Sequence, residues 1–182
     1  FDDFAVLCRA GASSRRGEAE TIAAAVSALG LEHAPIEEPG TLDGGDVLKV
    51  GRTVLVGQSS RTNEAGIAQL RALVEPRGWE VRTAPVTKVL HFKSGVTALP
   101  DGTVVGYEPL VDQPDLFAPF VATPEEHGTA VVVLDEQSVL MSSDAPETAA
   151  LWRERGLEVV EVPISEFEKL EGCVTCLSVR VR

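Results

Sequence analysis

One pattern recurs along this chain and limits what it can fold into. Two short apolar runs joined by a turn are followed by an amphipathic helix and then by a single strand. The stretch DVLKVGRTVLVG reads as a β-hairpin turning at Gly51, TNEAGIAQLRALVEP as a helix with Ile67, Leu70 and Val74 inward, and WEVRTAPV as a strand. The next round opens on SGVTALPDGTVVGY, a hairpin turning at the strong turn dipeptide Asp101-Gly102. Its middle holds Pro109, Pro114, Pro119 and Pro124, which leave room only for a short helix near Asp115 to Phe120. A further round runs through TAVVVLDEQSVLMS, turning near Asp135-Glu136, then the helix DAPETAALWRERG and the strand LEVVEVP. Asp144 is placed to cap that helix, Pro146 suits its first turn and Gly156 its end. The chain begins part-way through such a round: AVLCRAGA is an apolar run, Ile22, Ala25, Val26 and Leu29 share one helical face ahead of Gly30, and LEHAPIEE is a short strand. About four units of hairpin, helix and strand follow, the first without its leading strand. A period of that kind predicts a radially or linearly repeated α/β architecture.

The chain's 182 residues, 44% apolar and 24% charged, suffice for a real core. The formal charge of −12 argues against a nucleic-acid or anionic-membrane partner, which calls for clustered Lys and Arg. Its apolar runs, such as Ala130 to Leu134, fall far below the roughly 20 residues of a membrane span. The opening Phe1-Asp2-Asp3 reads as a turn entering a strand, and an N-terminal segment is expected to precede it. Three scattered cysteines do not make a disulfide framework and predict a reducing, cytoplasmic setting.

Several residues are candidates for chemistry. In the terminal EGCVTCLSVRVR, Cys173 and Cys176 admit three readings: a redox pair, half a metal site, or a nucleophile with a bystander. A redox Cys-x-x-Cys normally opens a helix, whereas Val174, Thr175, Leu177, Val179 and Val181 predict a strand. Strand alternation then places the two cysteines on opposite faces, and simple packing is the commoner role of a cysteine. Zinc needs two more ligands at short spacing, and Cys8 and the histidines are scattered. His91, in KVLHFKSGV, lies where a strand gives way to a hairpin, while His33 and His127 read as solvated loop residues. TLDGGDVL (Thr41 to Leu48) sets two glycines between Asp43 and Asp46, which permits φ > 0 and close backbone approach. Either aspartate could orient His91, giving with a cysteine the trio of nucleophile, acid/base and orienter. Arg15 and Arg16 precede one helix and Arg61 another, at the same place in the repeat, and two guanidinium forks there suit a substrate carboxylate.

In this order and spacing, GASSRRGE, LDGGDVLKVGRTVLVGQSSRTNEAG, LHFKSGVTAL and EGCVTCLSV resemble the dimethylarginine dimethylaminohydrolases, over essentially the whole chain. The resemblance implies the pentein fold, a pseudo-symmetric five-bladed α/β propeller of ββαβ units. Residues 1–182 would then form one propeller domain lacking the first blade and part of the second. Carried onto this sequence, it implies Cys176 as nucleophile, His91 as general acid/base and Asp43 as the carboxylate orienting the histidine. Arg15 and Arg61 match the grip on the amino acid's α-carboxylate, and the Leu170 carbonyl an acceptor for its α-ammonium. Cys173 becomes the bystander. Arginine deiminases and amidinotransferases carry an acid two residues after the histidine, where this chain has Lys93. Family members also hold the guanidinium with acidic residues early in the chain, and Asp2 and Asp3 do not match them.

The activity implied is hydrolysis of Nω-methylated arginine to citrulline and a methylamine through a covalent thiouronium on Cys176, without cofactor or metal. The implied partner is a small guanidino compound, and a homodimer is compatible with the family. A deiminase or other guanidino hydrolase is the alternative enzyme, and a non-catalytic propeller-like binding module the alternative from another class. The expectation most exposed to test is that Cys176, His91 and Asp43 line one cavity.

Overall fold

The computed structural model describes residues 1–178, so Val179 and Val181 of the predicted last strand lie outside the described residues. Phe1–Phe92 make one compact unit, and a second begins at Lys93. In the first unit, β1 (Phe4–Leu7) leads through α1 (Glu18–Ala28) to β2 (Glu32–Pro35), paired in parallel with β1. Then β3 (Val47–Val50) and β4 (Thr53–Gln58) form the predicted hairpin, with Gly51 at φ 56°. Next, α2 (Glu64–Val74) crosses over to β5 (Glu80–Pro85), which pairs in parallel with β4. One helical turn, α3 (Phe92–Gly95), follows.

The second unit repeats the plan. Strands β6 (Val96–Ala98) and β7 (Val104–Gly106) are antiparallel, and β8 (Phe120–Ala122) lies parallel to β7. Strands β9 (Val131–Val133) and β10 (Ser138–Ser142) are again antiparallel, with α4 (Pro146–Glu154) leading to β11 (Glu158–Val162), parallel to β10. A last turn, α5 (Ser165–Glu168), precedes the cysteines. Among the described residues, three sheets of three strands and one of two follow the expected strand plan.

Each unit has its own core. In the first, Ile67, Leu70 and Val74 on α2 close over Val54, Val56 and Val81 of the sheet. Fully burying an aliphatic side chain contributes about 1.5–3 kcal/mol, so this contact holds α2 in place. Val54 to Gly57 are all buried, as a strand covered on both faces requires. In the second unit Trp152 of α4 is wholly buried against Val131, Val139 and Met141.

On α1, the face shared by Ile22 and Leu29 is partly open, the two side chains being 48% and 55% exposed. Three local expectations are corrected. Asp144 does not cap α4; the Glu125 carboxylate accepts the Thr148 N–H (2.8 Å) and hydroxyl (3.0 Å) instead. The helix expected near Asp115 to Phe120 shrinks to a single turn at Pro114–Leu116, since Pro119 cannot continue it, and β8 follows. His33 lies in β2 rather than in a loop, though exposed as expected.

Candidate active site

The loop between β2 and β3 carries the predicted carboxylates, and its course is fixed by what surrounds it. Buried Leu42 anchors it, giving its N–H to the Arg9 carbonyl at 2.8 Å, so residues 9–11 run alongside. Asp43 then receives the Gly11 N–H on Oδ1 at 2.8 Å and lies 2.9 Å through Oδ2 from His91 Nε2. Only 4% of it is exposed. Burial opposes its ionisation, but the bonds from His91 and Gly11 and the Arg15 charge outweigh that and hold its carboxyl below the ordinary aspartate range. Of Asp43 and Asp46, it is Asp43 whose carboxylate contacts the His91 ring.

Asp46 does something different. Wholly buried, it accepts the hydroxyls of Ser59 (2.7 Å) and Thr62 (2.6 Å) on Oδ2 and the Phe92 N–H (2.8 Å) on Oδ1. The Thr62 oxygen in turn accepts the Asp43 N–H at 3.0 Å. One buried carboxylate therefore fixes both the backbone beside His91 and, through Thr62, the backbone of Asp43. Sequence reasoning missed Ser59 and Thr62; the signal was two hydroxyl residues just beyond a strand that follows a Gly-Gly-Asp turn.

The glycines of this loop are needed for space rather than for a left-handed backbone, since neither Gly44 nor Gly45 has a positive φ. A Cβ on Gly45 would lie 2.7 Å from His91 Cγ and 3.0 Å from Cδ2, so the imidazole sits directly on this residue. Gly11 plays the same part for the arginine loops: a Cβ there would come 2.6 Å from the Arg61 Cα. Arg15 points one guanidinium nitrogen at Asp43 Oδ2, 3.5 Å away, while Nε and the other nitrogen bond Glu18, each at 2.9 Å. Arg61 is half-buried, its N–H bonded to Ser59 Oγ at 2.9 Å. Asp2 pairs with Arg52 at 2.8 Å.

Asp43, His91, Arg15 and Arg61 all belong to the first unit, Leu170 and both late cysteines to the second. Leu170 is 84% exposed on the turn after α5. The strand predicted through Cys173 and Cys176 is instead a helical turn, closed by the Cys176 N–H on the Cys173 carbonyl at 2.9 Å. Residues three apart on a turn share a side, and the two sulfurs stand 3.3 Å apart rather than on opposite faces. Cys173 also lies 3.1 Å from Thr175 Oγ1. The hydrogen bond between the two sulfurs lowers the pKa of the Cys173 thiol, and the same bond, with burial, pushes Cys176 up.

No protein-family model matches the chain. An N(G),N(G)-dimethylarginine dimethylaminohydrolase of Streptomyces coelicolor is 56% identical over the whole chain, which spans 70% of that relative. The Pseudomonas aeruginosa protein of the same name is 34% identical over 97% of the chain and 70% of its own length. Among solved structures, a P. aeruginosa dimethylarginine dimethylaminohydrolase mutant complexed with citrulline superposes with a TM-score of 0.89 at 31% identity, over the whole chain and 72% of its own. An amidinotransferase of saxitoxin biosynthesis from Microseira wollei, 16% identical with a TM-score of 0.86 over 99% of this chain and 66% of its own, shares the fold. With relatives at this level of identity and coverage, the chain belongs to the dimethylarginine dimethylaminohydrolase family of hydrolases.

Proposed function

We propose that the protein hydrolyses Nω-methylated arginine to citrulline and a methylamine, with Cys176 as nucleophile and His91 as proton carrier. The observation that carries this reading is the 2.9 Å contact between Asp43 and His91, built into a buried loop in a chain of this family. The Cys176 sulfur attacks the guanidinium carbon, and a C–S bond forms. His91, oriented by Asp43, gives its proton to the departing methylamine as the C–N bond breaks, leaving a thiouronium on sulfur. His91 then takes a proton from the attacking water, the C–S bond breaks and citrulline leaves. The cationic substrate favours the Cys176 thiolate as it arrives, the thiol proton passing to solvent before the attack.

Arg15 and Arg61 grip the α-carboxylate and the Leu170 carbonyl accepts from the α-ammonium. Arg15 is half-exposed and exchanges part of its Glu18 pairing for the substrate. Four sheets built on one strand plan support a five-bladed propeller of ββαβ units as the family architecture to which this chain contributes. Lys93, two residues after the histidine, favours the methylated substrate over free arginine.

The test follows citrulline and released amine across asymmetric dimethylarginine, monomethylarginine and arginine. Cys176→Ser is expected to abolish citrulline formation while Cys173→Ser keeps most of it; equal losses in both would defeat the assignment. Turnover of arginine with ammonia release, and none of the methylated compounds, would replace the reading with a deiminase.

A further inference from the structure

We propose that Cys173 and Cys176 form a reversible dithiol–disulfide site that closes when a peroxide reaches the turn after α5. The sequence pattern alone argues against this, because a strand would keep the two sulfurs apart. The structure removes that objection. The turn closed on the Cys173 carbonyl brings Sγ to within 3.3 Å of Sγ. A disulfide bond is about 2.05 Å, so closure needs the sulfurs to approach by little more than about 1 Å.

The chemistry suits the geometry. The hydrogen bond between the two sulfurs favours a thiolate in the pair and holds the Cys173 thiol below the ordinary cysteine range. Cys176 is exposed and Cys173 half-buried, which gives a small oxidant access. The Cys173 thiolate attacks one oxygen of hydrogen peroxide; the O–O bond breaks, hydroxide leaves and takes a proton, and a sulfenic acid remains. The Cys176 sulfur attacks the sulfenyl sulfur, an S–S bond forms, the S–OH bond breaks, and the hydroxyl leaves as water with the Cys176 proton. Two thiols and one peroxide become one disulfide and two waters, the sulfur pair giving up two electrons. A dithiol reductant returns them. Because Cys176 ends inside the disulfide, the sulfur that the proposed hydrolysis needs is masked and is kept from the irreversible sulfinic state. That consequence rests on the reading of Cys176 as nucleophile; the disulfide itself does not.

The experiment treats the whole chain with stoichiometric hydrogen peroxide and reads intact mass, free thiols and citrulline formation. Expected are a mass lower by two hydrogens, a fall from three titratable thiols to one, and a Cys173–Cys176 cross-link in non-reducing peptide maps, all reversed by dithiothreitol. Cys8→Ser should behave like the parent, with two thiols falling to none. With excess hydrogen peroxide, Cys173→Ser should gain two oxygens at Cys176, the sulfinic state, and lose activity that dithiothreitol does not restore. Oxygen addition in the parent with no cross-link overturns the proposal. A cross-link that leaves citrulline formation intact supports the disulfide and overturns the role of Cys176 instead.

Discussion

At the scale of single residues, the contact with the sharpest consequence is Gly45 against His91. A methyl group there would meet imidazole carbons at 2.7 and 3.0 Å, well inside the ordinary 3.5–4.0 Å carbon contact. The ring must turn, and its 2.9 Å contact with Asp43 is lost. Gly45→Ala should therefore lower kcat by about 10²–10⁴, the range a positioned acid/base supplies. Stability should fall only by the roughly 1–3 kcal/mol of a tight insertion. Steady-state kinetics and a urea titration on one sample check both, and a folded variant with full activity would refute the ring's role. The motif around Gly45 was readable in the sequence as a loop of close approach. Which of the two aspartates faces the ring was not readable from the residues, since it depends on the hydroxyls of Ser59 and Thr62, in the loop after β4, that take up Asp46.

At the scale of elements, α2 shows packing overriding local preference. Gly66 lies in its first turn, where Ala would ordinarily stabilise a helix by about 0.8–1.0 kcal/mol. Here a Cβ would stand 2.7 Å from the Thr41 carbonyl carbon, and backbone cannot step aside as a side chain can. Thr41 is itself pinned, its N–H on the Asn63 side chain at 2.9 Å and its carbonyl accepting the Asn63 N–H at 3.1 Å. The clash wins, so Gly66→Ala should destabilise the fold by about 1–3 kcal/mol, read from the denaturation midpoint. A stabilised variant would show that the loop moves freely.

Elements with strong periodicity, α2 and the hairpins at Gly51 and Asp101-Gly102, were legible because one face or one turn decides them. Those that failed depend on distant partners. The α4 cap came from Glu125, many residues away. The cysteine turn failed for a different reason: Val174 and Thr175 favour strands, yet Val174 is buried as part of a turn, against a cluster holding Val132 and Ile164.

For the whole molecule the ruling quantity is acidity, a formal −12 with several carboxylates held below their ordinary pKa. The exposed ones, Asp2, Glu18 and Glu80, add little because solvent screens them. Asp43 is the buried one. Its carboxyl ionises more readily folded than unfolded, so its contribution is complete above the unfolded value near 3.9 and disappears as pH falls through the lower folded value. The urea midpoint should accordingly stay level from about pH 7 to 5 and drop below about 4. Asp43→Asn should flatten part of that drop, and an unchanged acid limb would assign the loss to other groups. Asp46, finally, ties the segments leaving β4 and β5 to the loop that enters β3. Surface connections usually exchange their amide protons for deuterium first. Here the amides of Asp43, Thr62 and Phe92 are bonded within this knot, so they should be among the slowest in the unit, opening only when the sheet between them opens.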